Sequence, residues 1–314
     1  MHIPDGMLDT KTWVSTWVGS AGALAYAVSR VRRELKDNKI VLMAVLAALV
    51  FALQMLNFPV AGGTSGHFAG GAAVAIILGP WPAVVVMAAV LVVQALLFAD
   101  GGITALGANM IDMAIVGPLV GWLVYRAFRS VAASARIRPV AAFAAGWIAC
   151  VAGALCAALL LWISGRVPLA AGLAAMGFWH VLIGLGEGAI TAGLVTYLAS
   201  VRPDLLADEV SQGIKPARDV AVSLGVLAVV AAGFSFLASA RPDGLEFVYE
   251  QVGRPFQGGH AVPSPMAGYA VPFVTNSTVA GVLAGIVGVI VTGTLAYVIV
   301  RAVRARTRLE KSRG

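Results

Sequence analysis

Charged side chains are scarce in this chain. Asp, Glu, Lys and Arg make up 12% of its 314 residues, 60% are hydrophobic, and the mean hydropathy is +0.89. A soluble domain carries about 25% charged residues, so a soluble globular protein is excluded. Other absences narrow the function. No Gly-x4-Gly-Lys-Ser/Thr phosphate loop occurs, so the chain has no such means of hydrolysing ATP. No His-Glu-x2-His pair occurs, so an intramembrane zinc protease would lack its ligands. The two cysteines, Cys150 and Cys156, lie six apart in one apolar stretch, face different sides of a helix and cannot bridge each other. The first eleven residues hold one basic residue, Lys11, and no apolar core before a cleavage site, so a mature terminus at Met1 is expected.

What is present is apolar sequence in long runs. Nine windows approach the ~20 residues that a bilayer-spanning helix needs. They run 12–29, 40–57, 66–80, 83–99, 105–125, 140–163, 177–199, 219–239 and 277–300. An all-α polytopic membrane protein is therefore expected, with broken or partial spans at the short third and fourth windows and at the Gly/Asn-rich start of the fifth. Trp13, Trp81, Trp122, Trp162 and Trp179 fall near window ends, where interfacial aromatics collect. With the N-terminus outside, 18 of the 22 Lys and Arg fall in inner loops and the C-terminal tail. Lys11, Arg166, Arg241 and Arg254 remain outside, so the positive-inside rule favours an outer N-terminus and an inner C-terminus. The same loops account for the net charge of +7, which is not read as a nucleic-acid surface. This topology puts His2, His67, His180 and His260 on or near the outer side.

Met1-His2 is the stretch with distinctive chemistry. The α-amine, the deprotonated peptide nitrogen of His2 and the His2 Nδ1 can share one plane around a metal, closing five- and six-membered rings. A fourth in-plane corner stays open, and a second imidazole such as His67 in Gly62-Gly63-Thr64-Ser65-Gly66-His67 can fill it. Four nitrogens in a square suit Ni(II) or Cu(II) and suit tetrahedral Zn(II) badly. Ile3-Pro4-Asp5-Gly6 is a turn signature that folds the terminus back.

These stretches resemble the CbiM/NikM family, the substrate-binding components of energy-coupling-factor cobalt and nickel transporters. The resemblance rests on Met1-His-Ile-Pro-Asp-Gly6, on Gly62 to His67 followed by Gly70-Gly71, and on Phe98-Ala-Asp-Gly-Gly-Ile-Thr-Ala-Leu-Gly-Ala-Asn109. It covers roughly residues 1–205. It implies a seven-helix bundle with an outer N-terminus and Met1, His2 and His67 as metal ligands. It also implies Ni(II) or Co(II) as cargo with no resident cofactor, and a transmembrane coupling (T) subunit and cytoplasmic ATP-binding subunits as partners in a bacterial or archaeal cell membrane. Residues 206–218 read as a cytoplasmic linker, with Pro216 within it and Pro203 just before. Residues 219–314 read as two further spans around an outer loop, whose Pro242-Asp-Gly-Leu-Glu246 resembles the small accessory component, CbiN or NikN, of the same transporters.

Four polar residues inside spans need an account. Asn109 and Asp112 share one helix face, as do His180 and Glu187. Each pair is open to structural pairing within the bundle, to support of a ligating imidazole, or to a place on the ion path. Square nitrogen geometry favours nickel, with cobalt for cobalamin synthesis as the alternative cargo. A passive metal channel is the rival function; it wants weak multi-site binding, whereas an all-nitrogen chelate holds its ion tightly.

Overall fold

The structure, a computed structural model, describes residues 1–34, 39–131, 134–206, 218–254 and 263–311. His260 and most of the expected linker lie outside the described residues. The helices are α1 (Thr10–Glu34), α2 (Lys39–Gln54), α3 (Gly71–Leu78), α4 (Pro80–Phe98), α5 (Leu106–Val131), α6 (Arg138–Ile163), α7 (Leu169–Val201), α8 (Arg218–Gly233), α9 (Gly244–Val252) and α10 (Ser277–Lys311). A two-stranded hairpin, β1 (Phe58–Pro59) and β2 (Ser65–Gly66), joins α2 to α3. Among the described residues, α4, α5, α6, α7 and α10 are long and apolar enough to cross a membrane, and α2 and α8 are shorter apolar helices.

The third apolar window yields less helix than its length allows. Its first residues close the hairpin and the turn through His67, and only Gly71–Leu78 is helical, all eight residues buried. Eight residues rise about 12 Å, well short of a bilayer core. Gly70 starts this helix with φ 83°, and a Cβ there would meet Val50 Cγ2 at 2.9 Å, so only glycine makes the turn. The helices carrying the fourth and fifth windows are each widened by a π-helical stretch, Gln94–Phe98 in α4 and Met110–Val116 in α5. Such wide turns re-aim side chains and recur at functional sites. Here they flank the N-terminal segment.

Packing between α6 and α7 depends on small residues. A Cβ at Gly146 would lie 2.7 Å from Thr191 Oγ1, one at Gly184 2.5 Å from Trp147 Cδ1, and one at Gly188 2.7 Å from the Phe143 carbonyl. In lipid, where apolar burial between helices gains little, this close backbone approach holds them together. The later helices dock on the early ones through the same device: α8 and α10 pack on α2. At Gly288 of α10 a Cβ would sit 2.0 Å from Phe51 Cζ. Phe51 is fully buried, so it has nowhere to move. Gly288→Leu is expected to cost about 1–3 kcal/mol through overpacking and to loosen α10 from α2. Thermal unfolding in detergent, with protease sensitivity of α10, checks this.

Candidate metal centre

The chain start is buried at one end of the bundle. Ile3 is fully enclosed; its N–H donates to Asn109 Oδ1 at 2.8 Å, and its carbonyl accepts from Asn109 Nδ2 at 3.1 Å and from the Gly102 N–H at 2.9 Å. The Asp5 Oδ1 accepts from the Thr104 N–H at 2.7 Å and hydroxyl at 2.5 Å. Arg166 donates to the carbonyls of Gly6 and Met7, each at 3.0 Å. The expected turn therefore exists. Its bonds to the 100–109 segment and to Arg166 prevent the fraying usual at termini.

His67 is held as firmly from behind. The Glu187 carboxyl group accepts from the N–H groups of Ala69 at 2.6 Å and Gly70 at 3.0 Å, and Gln54 Nε2 donates to the Ala69 carbonyl at 2.7 Å. So fixed, His67 Nε2 lies 2.9 Å from the Met1 amine. The His2 ring stacks beside the His67 ring, centroids 5.4 Å apart and planes 20° from parallel. His2 Nδ1 lies 3.0 Å from Asp100 Oδ1, and its Nε2 lies 3.2 Å from Gln94 Oε1. Gln94, at the first residue of the π-helical turn, passes the chain of bonds on to Gln54 at 2.6 Å.

The unexpected member is Asp243, from the second half of the chain. Its Oδ2 lies 2.6 Å from the Met1 amine and 4.0 Å from His67 Nε2. Its Oδ1 accepts from the N–H groups of Leu245 at 2.8 Å and Glu246 at 2.9 Å, capping α9, while the Glu246 side chain returns the bond to the Asp243 N–H. One carboxylate oxygen thus starts a helix while the other faces the amine. The loop is seated by main chain: Ser65 donates from N and Oγ, both at 2.9 Å, to the carbonyls of Pro242 and Arg241. Gly244 lets it close, because a Cβ there would meet Ile183 Cδ1 at 2.6 Å and His180 Cε1 at 2.7 Å.

The charges follow from this geometry. Burial alone would lower the Met1 amine, but the adjoining Asp243 carboxylate outweighs it and raises its pKa. Burial alone would raise Asp243, yet the ammonium and His67 hold it well below the usual carboxylate range. Burial, then the ammonium and His2, push His67 down to about 3, so its Nε2 is a neutral acceptor. The pocket is an ammonium held between an imidazole and a carboxylate.

Of the residues singled out from the sequence, Met1, His2 and His67 come together. The residues of the two same-face pairs take separate partners. Asn109 clamps Ile3, and Glu187 anchors the His67 turn. The Asp112 oxygens are buried without a hydrogen-bond partner among the described residues. His180 binds the Met176 carbonyl through Nδ1 at 2.9 Å, and its buried Nε2 has no partner among them. Gln94 and Gln54 carried no functional signal in their own local sequence, whereas Asp100 falls in the Phe98–Asn109 stretch that carries the resemblance. Only the Pro-Asp-Gly-Leu-Glu string hinted at Asp243. Among the described residues no three His, Cys, Asp or Glu side chains converge as ligands, so a metal centre here must recruit the main-chain amine.

Comparison with known proteins decides the family. Residues 2–205 match the family described as the CbiM cobalt uptake substrate-specific transmembrane region, and residues 218–305 match the PDGLE domain. The chain belongs to the CbiM family. It is 46% identical over 215 residues to a putative fused nickel transport protein NikMN of Archaeoglobus fulgidus, covering 68% of this chain and 70% of that one. Identity to the fused nickel transport protein NikMN of Rhodobacter capsulatus is 37% over 222 residues, covering 66% of this chain and 64% of that one. The crystal structure of a truncated transition metal transporter, 32% identical, superposes with a TM-score of 0.58 over 64% of this chain and 99% of that chain. As a CbiM-family member the chain is a multi-pass membrane transport protein and not an enzyme.

The anchoring of His67 gives a test. Glu187→Ala removes two bonds to the His67 turn, each worth about 1–3 kcal/mol when a buried partner is left unsatisfied. Hydrogen exchange of residues 66–70 should quicken by about tenfold or more, while exchange in α6 stays unchanged.

Proposed function

We propose that this chain is the substrate-capture component of an ATP-driven energy-coupling-factor importer for nickel, binding the ion in a square-planar nitrogen site at the outer face of a bacterial or archaeal cell membrane. The observation that carries the reading is the 2.9 Å between the Met1 amine and His67 Nε2. Neighbouring corners of a square with metal–nitrogen bonds of about 2 Å lie about 2.8 Å apart. The Met1 amine, the His2 peptide nitrogen, the His2 Nδ1 and His67 Nε2 are the proposed ligands. Loading then requires the His2 imidazole to exchange Asp100 for the ion. Asn109 and Glu187 support the site by fixing the two segments that carry ligands, and Asp112 and His180 line the ion's way onward.

Residues 1–205 are the proposed metal-binding component, seven helices with the N-terminus outside. Residues 206–218 link it through the cytoplasm to residues 219–314, a two-span accessory module. With no ATP-binding motif of its own, the chain is proposed to work with a transmembrane coupling subunit and cytoplasmic ATP-binding subunits. Cobalt is the second reading, favoured by the family description and by a relative named as the cobalt transport protein CbiM of Geobacter sulfurreducens, 36% identical over 239 residues.

Two measurements test the proposal. His67→Ala leaves three of four in-plane donors, and nickel affinity of the purified full chain should fall about 100-fold or more; wild-type affinity would remove His67 from the ligands. An added N-terminal residue turns the amine into an amide, so uptake should fail in an N-terminally tagged protein and persist in a C-terminally tagged one. Equal uptake from both would sink the amine chelate. Uptake that continues without any partner ATPase would point instead to a channel.

A further inference from the structure

We infer that Asp243, contributed by the Pro-Asp-Gly-Leu-Glu loop, is the first carboxylate ligand of the incoming ion and holds one corner of its coordination square during capture. The inference rests on the proposed Met1–His67 site and adds to it a ligand from the second half of the chain.

The argument is geometric. The Met1 nitrogen, His67 Nε2 and Asp243 Oδ2 are separated by 2.9, 2.6 and 4.0 Å, the longest between His67 and Asp243. In a square with bonds of about 2.0 Å, neighbours stand about 2.8 Å apart and opposites about 4.0 Å apart. The three atoms therefore occupy three corners of such a square, with the amine between two opposed donors. A single point lies about 2.0 Å from all three, within the bond range for nitrogen and oxygen ligands. The ammonium donates to Asp243 and faces His67 Nε2. To bind a cation it gives up one proton to water, and its nitrogen lone pair takes the ion.

The corner that Asp243 occupies explains its purpose. In the proposed chelate the His2 peptide nitrogen neighbours both the amine and the His2 Nδ1, so it stands opposite His67. Asp243 Oδ2 also stands opposite His67, so the two share one corner. A peptide nitrogen binds only after losing its proton, whereas a carboxylate binds at once. Asp243 holds the corner first and yields it as the peptide nitrogen ionises. The approach lies open: a cavity of about 210 Å³ reaches Asp243 and His67, lined also by His2, Asp100, Glu246 and Tyr269. Asp100 accepts from the Tyr269 hydroxyl, so its second oxygen is held while the first faces His2.

The test uses the purified full chain with a C-terminal tag and nickel(II) as the only probe, mixed rapidly and followed to saturation. Asp243→Asn and Asp243→Ser both keep a side chain that caps helices as well as aspartate does, so α9 and its docking are retained while the carboxylate is lost. Both variants should load nickel about 10-fold or more slowly than wild type. The deficit should persist at ~1 M salt, where the Debye length falls to ~3 Å and only contact interactions survive. Wild-type or faster loading would make Asp243 a clamp on the empty terminus and overturn the inference. So would a deficit that disappears at high salt, which would reduce Asp243 to a distant attractor. His67→Ala separates the two proposals. If it binds no nickel while Asp243→Asn loads normally, the chelate stands and the role of Asp243 falls. If His67→Ala binds like wild type, both fall.

Discussion

A buried ammonium organises this end of the molecule. An isolated charge removed from water costs several kcal/mol unless it is paired and hydrogen-bonded, and the Met1 amine is buried between Asp243 and His67. Every neighbouring feature serves to keep those partners in reach. Asn109, Gly102 and Arg166 bind the terminal turn, Glu187 and Gln54 fix the His67 turn, and the cap of α9 aims Asp243. Removing Asp243 takes away the countercharge and removing His67 takes away an acceptor, so the three segments form one cooperative unit although they are far apart in the chain.

Such a site suits an ion that must be taken up and later released. A tight nitrogen chelate at equilibrium poses a kinetic problem, because its peptide nitrogen ionises only in the presence of the metal. On the proposed reading, a weaker ligand already in place at that corner would separate capture from sequestration. The Gln54–Gln94–His2–Asp100–Tyr269 chain of contacts fixes the His2 imidazole, holding its ring within 20° of parallel to His67.

Much of this was legible in the sequence because the signals were local. Apolar runs revealed the helical class, with five of the nine windows giving helices long and apolar enough to cross a membrane among the described residues. The Pro-Asp-Gly bend announced a folded-back terminus, and a histidine in second position has a chelating geometry independent of the fold. A partial span was expected at the third window, but not where it starts, since hydropathy records apolarity and not where a left-handed glycine such as Gly70 breaks the run. The same holds for the two π-helical turns, which insert one residue per turn without any compositional mark. For Asn109–Asp112 and His180–Glu187 the sequence left several roles open, because sharing a helix face fixes direction and not partner; the partners of Asn109 and Glu187 are main-chain groups of other segments. Asp243 was hidden by distance, 242 residues from its partner.

The seating of the Asp243 loop also bears on how the two halves recognise each other. Ser65 meets Asp243 in a parallel β-bridge and takes hold of the carbonyls of Arg241 and Pro242, not their side chains. This is strand addition on a small scale, in which main chain supplies the grip and a few side chains supply the selectivity. The Arg241 side chain adds a bond to the Val60 carbonyl at 3.5 Å, while Pro242 contributes its carbonyl. Asp243 and Gly244, one filling the charged niche and the other leaving room for His180, carry the identity of the joint. A joint made this way has the form of a docking surface, held by main chain across a long stretch of sequence.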